Sequence, residues 1–264
     1  MFSELHFGVD NGRAKTVYCH CAYTNLVPDA DKNQLLKGLS ESGLAFEVVP
    51  DLCQLAAAKD EKLLRWAGCE NLNIIACFDR AVRWLFHMAG VKLNHDNVRI
   101  FNARTQKPES IITALAADKC VQKSSSQIDI HKQGNWLPWF PVIDYDRCKN
   151  CKQCLNFCLF GVYSLSDEQT VRVTRPENCK TNCPACARIC PHTAIIFPKY
   201  NQSPINGDVV DDETVEEVTQ KVNLAELLGG DIYENIRKRS ASREGFSDKQ
   251  AVLNEKENNS SNKI

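Results

Sequence analysis

The stretch CKNCKQCLNFC, residues 148–158, places four of the fourteen cysteines of this 264-residue chain within eleven positions. A second row of cysteines, CKTNCPACARICP, covers residues 179–191. The first row has the spacing C-x2-C-x2-C-x3-C, which is typical of bacterial iron–sulfur proteins. In proteins with two clusters, the fourth cysteine of such a row ligates the other cluster. The spacing therefore predicts thiolate ligands for iron.

The second row repeats this logic with one extra residue in its first gap, and Pro191 follows its last cysteine. Two such rows complete each other, because each supplies the fourth ligand of the other row's cluster. We therefore expect eight ligands and two [4Fe-4S] clusters. One cluster is expected at Cys148, Cys151, Cys154 and Cys190, and the other at Cys179, Cys183, Cys186 and Cys158.

Residues from about 141 to 200 resemble a two-cluster bacterial-type ferredoxin domain, because the eight cysteines fall in register and ICPHTAIIF is similar to the usual stretch after the last ligand. One departure is LFG after Cys158, where the family usually has proline. Proline orients the chain but donates nothing to iron, so we expect altered packing there and no lost cluster. The segment GVYSLSDEQTVRV, residues 161–173, predicts a β-hairpin between the two halves.

Three other uses of the cysteines are disfavoured. Structural zinc is held by two cysteine pairs roughly 12 to 20 residues apart, whereas here each row has four cysteines. Disulfides do not persist in a reducing compartment. The spacing of Cys179, Cys183 and Cys186 also occurs in radical S-adenosylmethionine enzymes, but fewer than eighty residues follow it, too few for the barrel that those enzymes need.

The composition disfavours several classes of partner. Apolar residues make up 43% of the chain and its formal net charge is −1, so nothing attracts it as a whole to nucleic acid or to an acidic membrane surface. No segment approaches the roughly 18 apolar residues of a spanning helix, and the N-terminus lacks a signal-peptide pattern. We expect a cytoplasmic protein that has no membrane span, binds no nucleic acid and acts with redox partner proteins.

The sequence predicts an α+β fold with a small α/β domain before the cysteine rows. Strands are expected at 16–22, 45–50, 71–78 and 97–102, and helices at 29–42, 52–68 and 79–90. This alternation implies a parallel sheet. The expected domains are 1–122 (α/β), 123–140 (linker), 141–206 (two-cluster domain) and 207–264 (helical segments and a disordered polar tail). Trp136, Trp139 and Phe140 of the linker should be buried between the two domains.

The first domain holds a second group of cysteines. Cys19 and Cys21 lie at the end of the first predicted strand, Cys53 follows the second and Cys77 closes the third. The carboxyl ends of parallel strands meet at one edge, where α/β sheets bind ligands, so three or four thiols should meet there. His20 should point to the opposite face from its neighbours, and Cys69, before the third strand, should be structural.

The segments VYCHCA, DLC and IIACFDRAVRWLF resemble the N-terminal domain of the heterodisulfide reductase A subunit. The resemblance implies a third iron–sulfur cluster held by Cys19 or Cys21, by Cys53 and by Cys77, and it leaves open whether the fourth ligand is the other cysteine of the Cys19–Cys21 pair, Cys120 or no residue. That family also carries a flavin-binding domain with a Gly-rich fingerprint, and no G-x-G-x-x-G occurs in this sequence. Flavin or nicotinamide is therefore expected only through a partner.

Three functions remain open on these observations. The first is an electron carrier that relays single electrons through two [4Fe-4S] clusters, as partner or subunit of a larger oxidoreductase and not as a complete enzyme. The second is an oxidoreductase subunit that performs thiol or disulfide chemistry at Cys19 and Cys21, which requires a thiolate of low pKa. The third is an interaction protein whose clusters are structural. The cluster spacing favours the first, since no catalytic motif accompanies it.

Overall fold

A computed structural model describes residues 14–117 and 126–211. The predicted helical segments and disordered tail after residue 211 lie outside the described residues, as does Cys120. Within the described ranges, no helix is long and apolar enough to cross a membrane. The described residues up to Val210 belong to one compact unit.

Five parallel strands form the first sheet, as the alternation of elements predicts. They are β1 (Ala14–Cys19), β2 (Phe46–Val49), β3 (Asn71–Ala76), β4 (Val98–Asn102) and β5 (Gln127–Ile128). Their order is β4-β3-β1-β2-β5, and in the centre Val17 pairs with Glu47 on β2 and with Ile74 on β3. The short strand β5 was expected to be part of the linker. It pairs through its backbone with β2, an interaction that two residues of sequence do not reveal.

Helices cover both faces of this sheet. They are α1 (Asp29–Glu41), α2 (Leu52–Ala58), α3 (Glu61–Ala67), α4 (Asp79–Met88) and α5 (Pro108–Ala116). Val17 packs with α2, α3 and α4, while its neighbour Tyr18 packs with α1 and α5. Successive strand residues point to opposite faces, so β1 supplies both cores. The resulting three-layer arrangement confirms the predicted α/β architecture.

The single helix expected over residues 52–68 is wrong, because two short helices replace it. Lys59 ends α2 in the left-handed conformation, with φ at 52°. Asp60 then begins α3, and its carboxylate accepts a hydrogen bond from the backbone N–H of Lys62 at 2.8 Å. An aspartate N-cap of this kind stabilises a new helix start. The break turns α3 so that Leu63 and Trp66 are buried in the core.

The strand order creates a switch point beside β1. The chain moves from β1 to β2 on one side and then crosses to β3 on the other side of β1. The helices that follow these strands therefore leave the sheet on opposite faces. At such a point a crevice opens beyond the carboxyl ends of the strands. Cys19 ends β1 and Cys77 directly follows β3, so both lie at this edge.

The cysteine rows lie in a smaller antiparallel region. Its elements are β6 (Val142–Ile143), α6 (Gln153–Phe157), β7 (Tyr163–Leu165), β8 (Val171–Val173), α7 (Ala185–Arg188) and β9 (Ile195–Ile196). Strands β7 and β8 form the predicted hairpin. Strand β6, just before the first row, pairs antiparallel with β9, just after the second row. This pairing brings the two cysteine rows together.

The adjacent linker residues Trp139 and Phe140 pack into different hydrophobic cores, one in the cysteine-rich region and one on the sheet of the first region. Phe140, 1% exposed, packs into the core on the α2, α3 and α4 side of the sheet, and Trp136 stacks on it with ring centroids 6.0 Å apart. Trp139, 5% exposed, packs instead in the core of the cysteine-rich region, against Phe197. The predicted burial is confirmed for Trp139 and Phe140, whereas Trp136 is only half-buried. The domain limits 1–122 and 141–206 stay predictions.

A buried ion pair also joins the two regions. Arg80 on α4 pairs with Asp144, and the two side chains are only 14% and 5% exposed. The same guanidinium donates hydrogen bonds to the backbone carbonyls of Thr193 and Pro204. Asp144 in turn accepts from the backbone N–H of Asp146 at the start of the first cysteine loop. Arg80 thus fixes α4 against the segments on either side of β9.

Arg80→Met should lower the free energy of unfolding by about 3 kcal/mol, because it leaves the buried Asp144 carboxylate without its charge partner. Lys37→Met removes an exposed pair with Glu41, whose side chains are 75% and 66% exposed, and should cost less than about 0.5 kcal/mol. Chemical denaturation of both variants, followed by circular dichroism under anaerobic conditions, measures the difference. Equal denaturation midpoints would show that the Arg80 contacts contribute nothing to stability.

Candidate cysteine-rich functional sites

The first cysteine row is a tight loop that runs into α6. The backbone N–H of Cys148 donates to the carbonyl of Asp144 at 2.9 Å. Asn150 and Lys152 both have positive φ, at 53° and 63°, so the backbone reverses sharply between the cysteines. Cys158 caps α6, and its N–H donates to the carbonyl of Cys154 at 3.1 Å. Cys158 is thereby placed one turn beyond the rest of its row.

The second row repeats this arrangement around α7. Asn182 has positive φ, at 61°, before Cys183, and Cys186 lies on α7. Cys190 follows the helix, and its Sγ accepts a hydrogen bond from the N–H of Ala194 at 3.4 Å. Because β9 begins at Ile195 and pairs with β6, Cys190 is returned toward the first row.

Cysteines of both rows pack on one core. This core contains the buried side chains of Trp139, Tyr163 and Phe197. Six cysteines of the two rows pack in it or against it: Cys148, Cys154, Cys158, Cys179, Cys186 and Cys190. The hydroxyl of Tyr163 donates to Sγ of Cys186 at 3.1 Å. Cys151 is exposed and Cys183 is half-buried.

The electrostatic neighbours of these thiols cross between the rows. Burial, together with the negative charges that Cys186, Cys190 and Cys148 carry when ionised, raises the pKa of Cys154 to about 12. Burial, together with the charges of Cys186, Cys183 and Cys158, raises the pKa of Cys179 to about 12. Cys190 of the second row thus lies in the field of the first row, and Cys158 of the first row lies in the field of the second.

The same crossing holds for two further thiols. Burial raises the pKa of Cys148, and the charge of Cys190 raises it more than that of Cys151. Burial, with a smaller contribution from the charge of Cys158, raises the pKa of Cys186 to about 11. Raised pKa values favour the protonated thiols when no metal is bound, whereas coordination to a metal deprotonates them.

Thiolates are soft ligands that suit iron–sulfur clusters, so the chemistry of the donor set fits such a cofactor. A single ion is a different case: among residues 14–117 and 126–211, no group of three or more His, Cys, Asp or Glu side chains is spaced to hold one.

The structure brings the four N-terminal cysteines to one small enclosed cavity. Cys19 ends β1, Cys21 follows it with φ at 51°, Cys53 lies in the first turn of α2, and Cys77 follows β3. All four line the cavity beyond the carboxyl ends of these strands. Sγ of Cys19 also accepts a hydrogen bond from the N–H of Leu52 at 3.2 Å. The edge of the sheet predicted from the sequence is therefore the correct one.

Two cations share this cavity, and sequence reasoning missed both. Arg104 and Lys199 line it together with the cysteines. Lys199 forms an ion pair with Asp51, and its Nζ lies 3.8 Å from Sγ of Cys21. Arg104 follows β4 and Asp51 follows β2. Because residues that follow parallel strands meet at one edge of the sheet, the argument that predicted the cysteines there also applies to these two residues. Lys199 had no such signal, because it comes from the segment after β9.

Burial dominates the electrostatics of the cavity. It raises the pKa of Cys77 to about 12 and the pKa values of Cys19 and Cys53 well above the ordinary range. For Lys199, burial disfavours the charged form, but the negative charge that Cys53 carries when ionised and the carboxylate of Asp51 outweigh it and raise the pKa. In the absence of a metal, burial favours the protonated form of the Cys19, Cys53 and Cys77 thiols, and the ion pair with Asp51 favours the charged form of Lys199.

The other candidates lie elsewhere. Cys69 donates to the carbonyl of Arg65 at 3.6 Å and packs against the core, in keeping with the structural role expected for it. His20 is not among the residues that line the cavity, and its ring meets Tyr18 edge to face at 6.0 Å.

Comparisons with known proteins concern the cysteine rows. A family model described as a 4Fe-4S dicluster domain matches residues 140–191. An uncharacterised ferredoxin of Methanocaldococcus jannaschii is 48% identical over 63 residues, which are 24% of this chain and 42% of that protein. Ferredoxin-3 of Nostoc sp. is 36% identical over 90 residues, 27% of this chain and 87% of that protein.

A third relative is a pyruvate synthase subunit, PorD, of Methanothermobacter marburgensis. It is 34% identical over 65 residues, which are 25% of this chain and 73% of that subunit. The chain thus spans less than half of the M. jannaschii ferredoxin but most of the length of the other two relatives. Through the region that holds both cysteine rows, this chain belongs to the 4Fe-4S dicluster ferredoxin family.

Proposed function

We propose that this chain is an electron carrier that relays single electrons through two [4Fe-4S] clusters, as a partner or subunit of a larger oxidoreductase. The observation that carries the proposal is the pairing of β6 with β9, which brings the two cysteine rows together. Cys190 is an electrostatic neighbour of Cys148 and Cys154, and Cys158 is a neighbour of Cys179 and Cys186. Such an exchange gives each row the fourth thiolate that a cubane requires.

The ligand sets follow from this exchange. The first cluster is assigned to Cys148, Cys151, Cys154 and Cys190, and the second to Cys158, Cys179, Cys183 and Cys186. When bound, each cluster accepts and releases one electron at a time. The sequence departs from the family pattern after Cys158, where Leu159 replaces the usual proline. This departure does not affect the two ligand sets, since proline is not a ligand.

The surroundings suit electron transfer. Hydrogen bonds to cluster sulfur favour the reduced state, and Cys186 and Cys190 accept such bonds from Tyr163 and from the N–H of Ala194. Cys151 is exposed, and Leu159, directly after Cys158, is 92% exposed. A partner protein can therefore approach a ligand of each proposed cluster at the surface.

The partner role rests on the relatives. The PorD proteins that this chain resembles are named as subunits of pyruvate synthase. We propose that this chain likewise delivers electrons to, or takes them from, a larger oxidoreductase. Phe157 and Phe160, which are 51% and 41% exposed beside Leu159, offer apolar area for such a contact.

A third cluster at the N-terminal cavity is a second proposal. It is supported by the four thiols of Cys19, Cys21, Cys53 and Cys77, which line one cavity at the switch point of the sheet. A domain similar to that of the heterodisulfide reductase A subunit would hold a cluster there. Cys179 packs against the same hydrophobic core as Cys19 and Cys77, so a third centre would be connected to the others through packed side chains.

Thiol or disulfide chemistry at the N-terminal cavity is less well supported. A nucleophilic cysteine needs a lowered pKa, and burial raises the pKa values of Cys19, Cys53 and Cys77. A metal cluster removes this obstacle, because coordinated thiols lose their protons outright.

Iron and acid-labile sulfide, measured on anaerobically purified protein, should amount to about twelve of each per chain. The double variant Cys53→Ser, Cys77→Ser should retain about eight, because only the N-terminal cluster is lost. Cys69→Ser, which removes a cysteine outside both sites, is the matched control and should retain the wild-type amount. About eight irons in all three proteins would refute the third cluster and leave a two-cluster carrier.

The crossed ligand sets can be tested with pairs of serine variants. Cys151→Ser with Cys190→Ser should lose one cluster, about four irons, because both residues belong to the same set. Cys151→Ser with Cys158→Ser should lose two clusters, about eight irons, although both residues lie in the same row. Iron analysis and the EPR spectrum of the reduced proteins distinguish the two results. The reverse pattern would show that each row holds its own cluster.

A further inference from the structure

The cavity of the N-terminal cysteines contains a fully buried ion pair that the electron-carrier proposal does not use. The side chains of Lys199 and Asp51 are 3% and 0% exposed. Burying two charges is costly, and replacing such a pair with apolar residues is often neutral or stabilising. Stability alone therefore does not account for a charged pair at this place.

The position of Lys199 is fixed from both sides. Arg104 donates hydrogen bonds to the backbone carbonyls of Pro198 at 3.2 Å and Tyr200 at 2.9 Å, the two neighbours of Lys199. The side chain of Lys199 meets Asp51 and lies 3.8 Å from Sγ of Cys21. The lysine ammonium is therefore held against the thiols.

Asp51 also caps the helix that carries Cys53. Its carboxylate accepts a hydrogen bond from the N–H of Gln54 at 3.1 Å and so caps α2. This cap holds the first turn of the helix, where Cys53 lies. The pair thus connects a cation from the cysteine-rich region to the turn that presents a thiol of the first domain.

A buried cluster is sensitive to such charges. Four thiolates carry more negative charge than a [4Fe-4S] core carries positive charge, and an added electron increases this surplus. A cation held nearby in a low-dielectric site stabilises the reduced form more than the oxidised form, whereas an anion has the opposite effect. Lys199 and Asp51 should therefore shift the reduction potential in opposite directions.

We propose that Lys199 sets the reduction potential of the N-terminal centre, so that the cysteine-rich region supplies the charge that favours transfer of an electron from its own clusters to that centre. This inference rests on the third cluster proposed above. With both centres loaded, one electron would leave a reduced cluster held by the cysteine-rich region and be taken up by the cluster that Cys19, Cys21, Cys53 and Cys77 would hold. No bond to substrate would form or break, and Lys199 would act only through its position, which the ion pair with Asp51 fixes.

The test is a reductive titration of the full-length, cluster-loaded chain with dithionite, followed by EPR. The signal of the N-terminal centre is identified by its loss in the Cys53→Ser, Cys77→Ser variant. The proteins compared are the wild type, Lys199→Met, Asp51→Asn and the double variant Asp51→Asn, Lys199→Met. Lys37→Met, the same substitution at a site 75% exposed on α1, is the control.

Lys199→Met should lower the potential of the N-terminal centre by at least a tenfold change in the reduction equilibrium, which is about 59 mV for a one-electron couple. Asp51→Asn should raise the potential, and the double variant should lie between the two single variants, because it removes both charges. The other clusters and the Lys37→Met protein should keep their wild-type potentials. A purely structural role of the pair would not produce shifts of opposite sign.

Two results would overturn the inference, and they are distinguishable. If about twelve irons are present and the potential of the N-terminal centre is unchanged, or moves in the same direction in both single variants, Lys199 does not set it and the third cluster stands. If about eight irons are present in the wild type, the third cluster itself is refuted, and the inference fails with it. Should Lys199→Met not fold, Asp51→Asn must still have a higher potential than the double variant.

Discussion

The antiparallel pairing of β6 with β9 is the constraint on which the other features depend. It joins the segment before the first cysteine row to the segment after the second, so that Cys190 reaches the first row. The same ladder carries the chain on to Lys199, where it meets the N-terminal cavity. Two residues in each strand are enough to hold this pairing, because its four side chains are buried on the two faces of the ladder. They are Val142, Ile143, Ile195 and Ile196.

Different groups compensate the negative charge of the thiolates in the two cysteine rows and in the N-terminal cavity. The two rows combine the buried Cys186, the exposed Cys151 and six half-buried thiols, and Cys186 and Cys190 receive hydrogen bonds from Tyr163 and from a backbone N–H. The N-terminal cysteines lie in an enclosed cavity, where compensation comes from the cations of Lys199 and Arg104. In a low-dielectric interior a fixed cation acts more strongly than on the surface, where water and salt screen it. The two groups are therefore suited to different electrostatic control.

Features carried by local patterns were predictable from the sequence. The cysteine spacing, the strand and helix alternation and the hairpin at residues 161–173 each depend on residues close together in the chain. The meeting of Cys19, Cys53 and Cys77 at one sheet edge was also predictable, since parallel strands place their carboxyl ends together. The helix break at Lys59 was not, because a left-handed lysine has no strong signature. The pairing of β5 with β2 was missed because a strand of two residues has no recognisable sequence pattern.

The sequence by itself determined the family of the cysteine rows, the parallel α/β architecture and the edge where the remaining thiols gather, because spacing and periodicity are local properties. Only the tertiary structure decided which charges accompany those thiols. Lys199 is 178 residues from Cys21 in the chain and 148 from Asp51, and no local pattern links residues at such separations. Their contact results from the packing of the two regions against each other, with Phe140 in the core of the first region and Trp139 in the core of the cysteine-rich region.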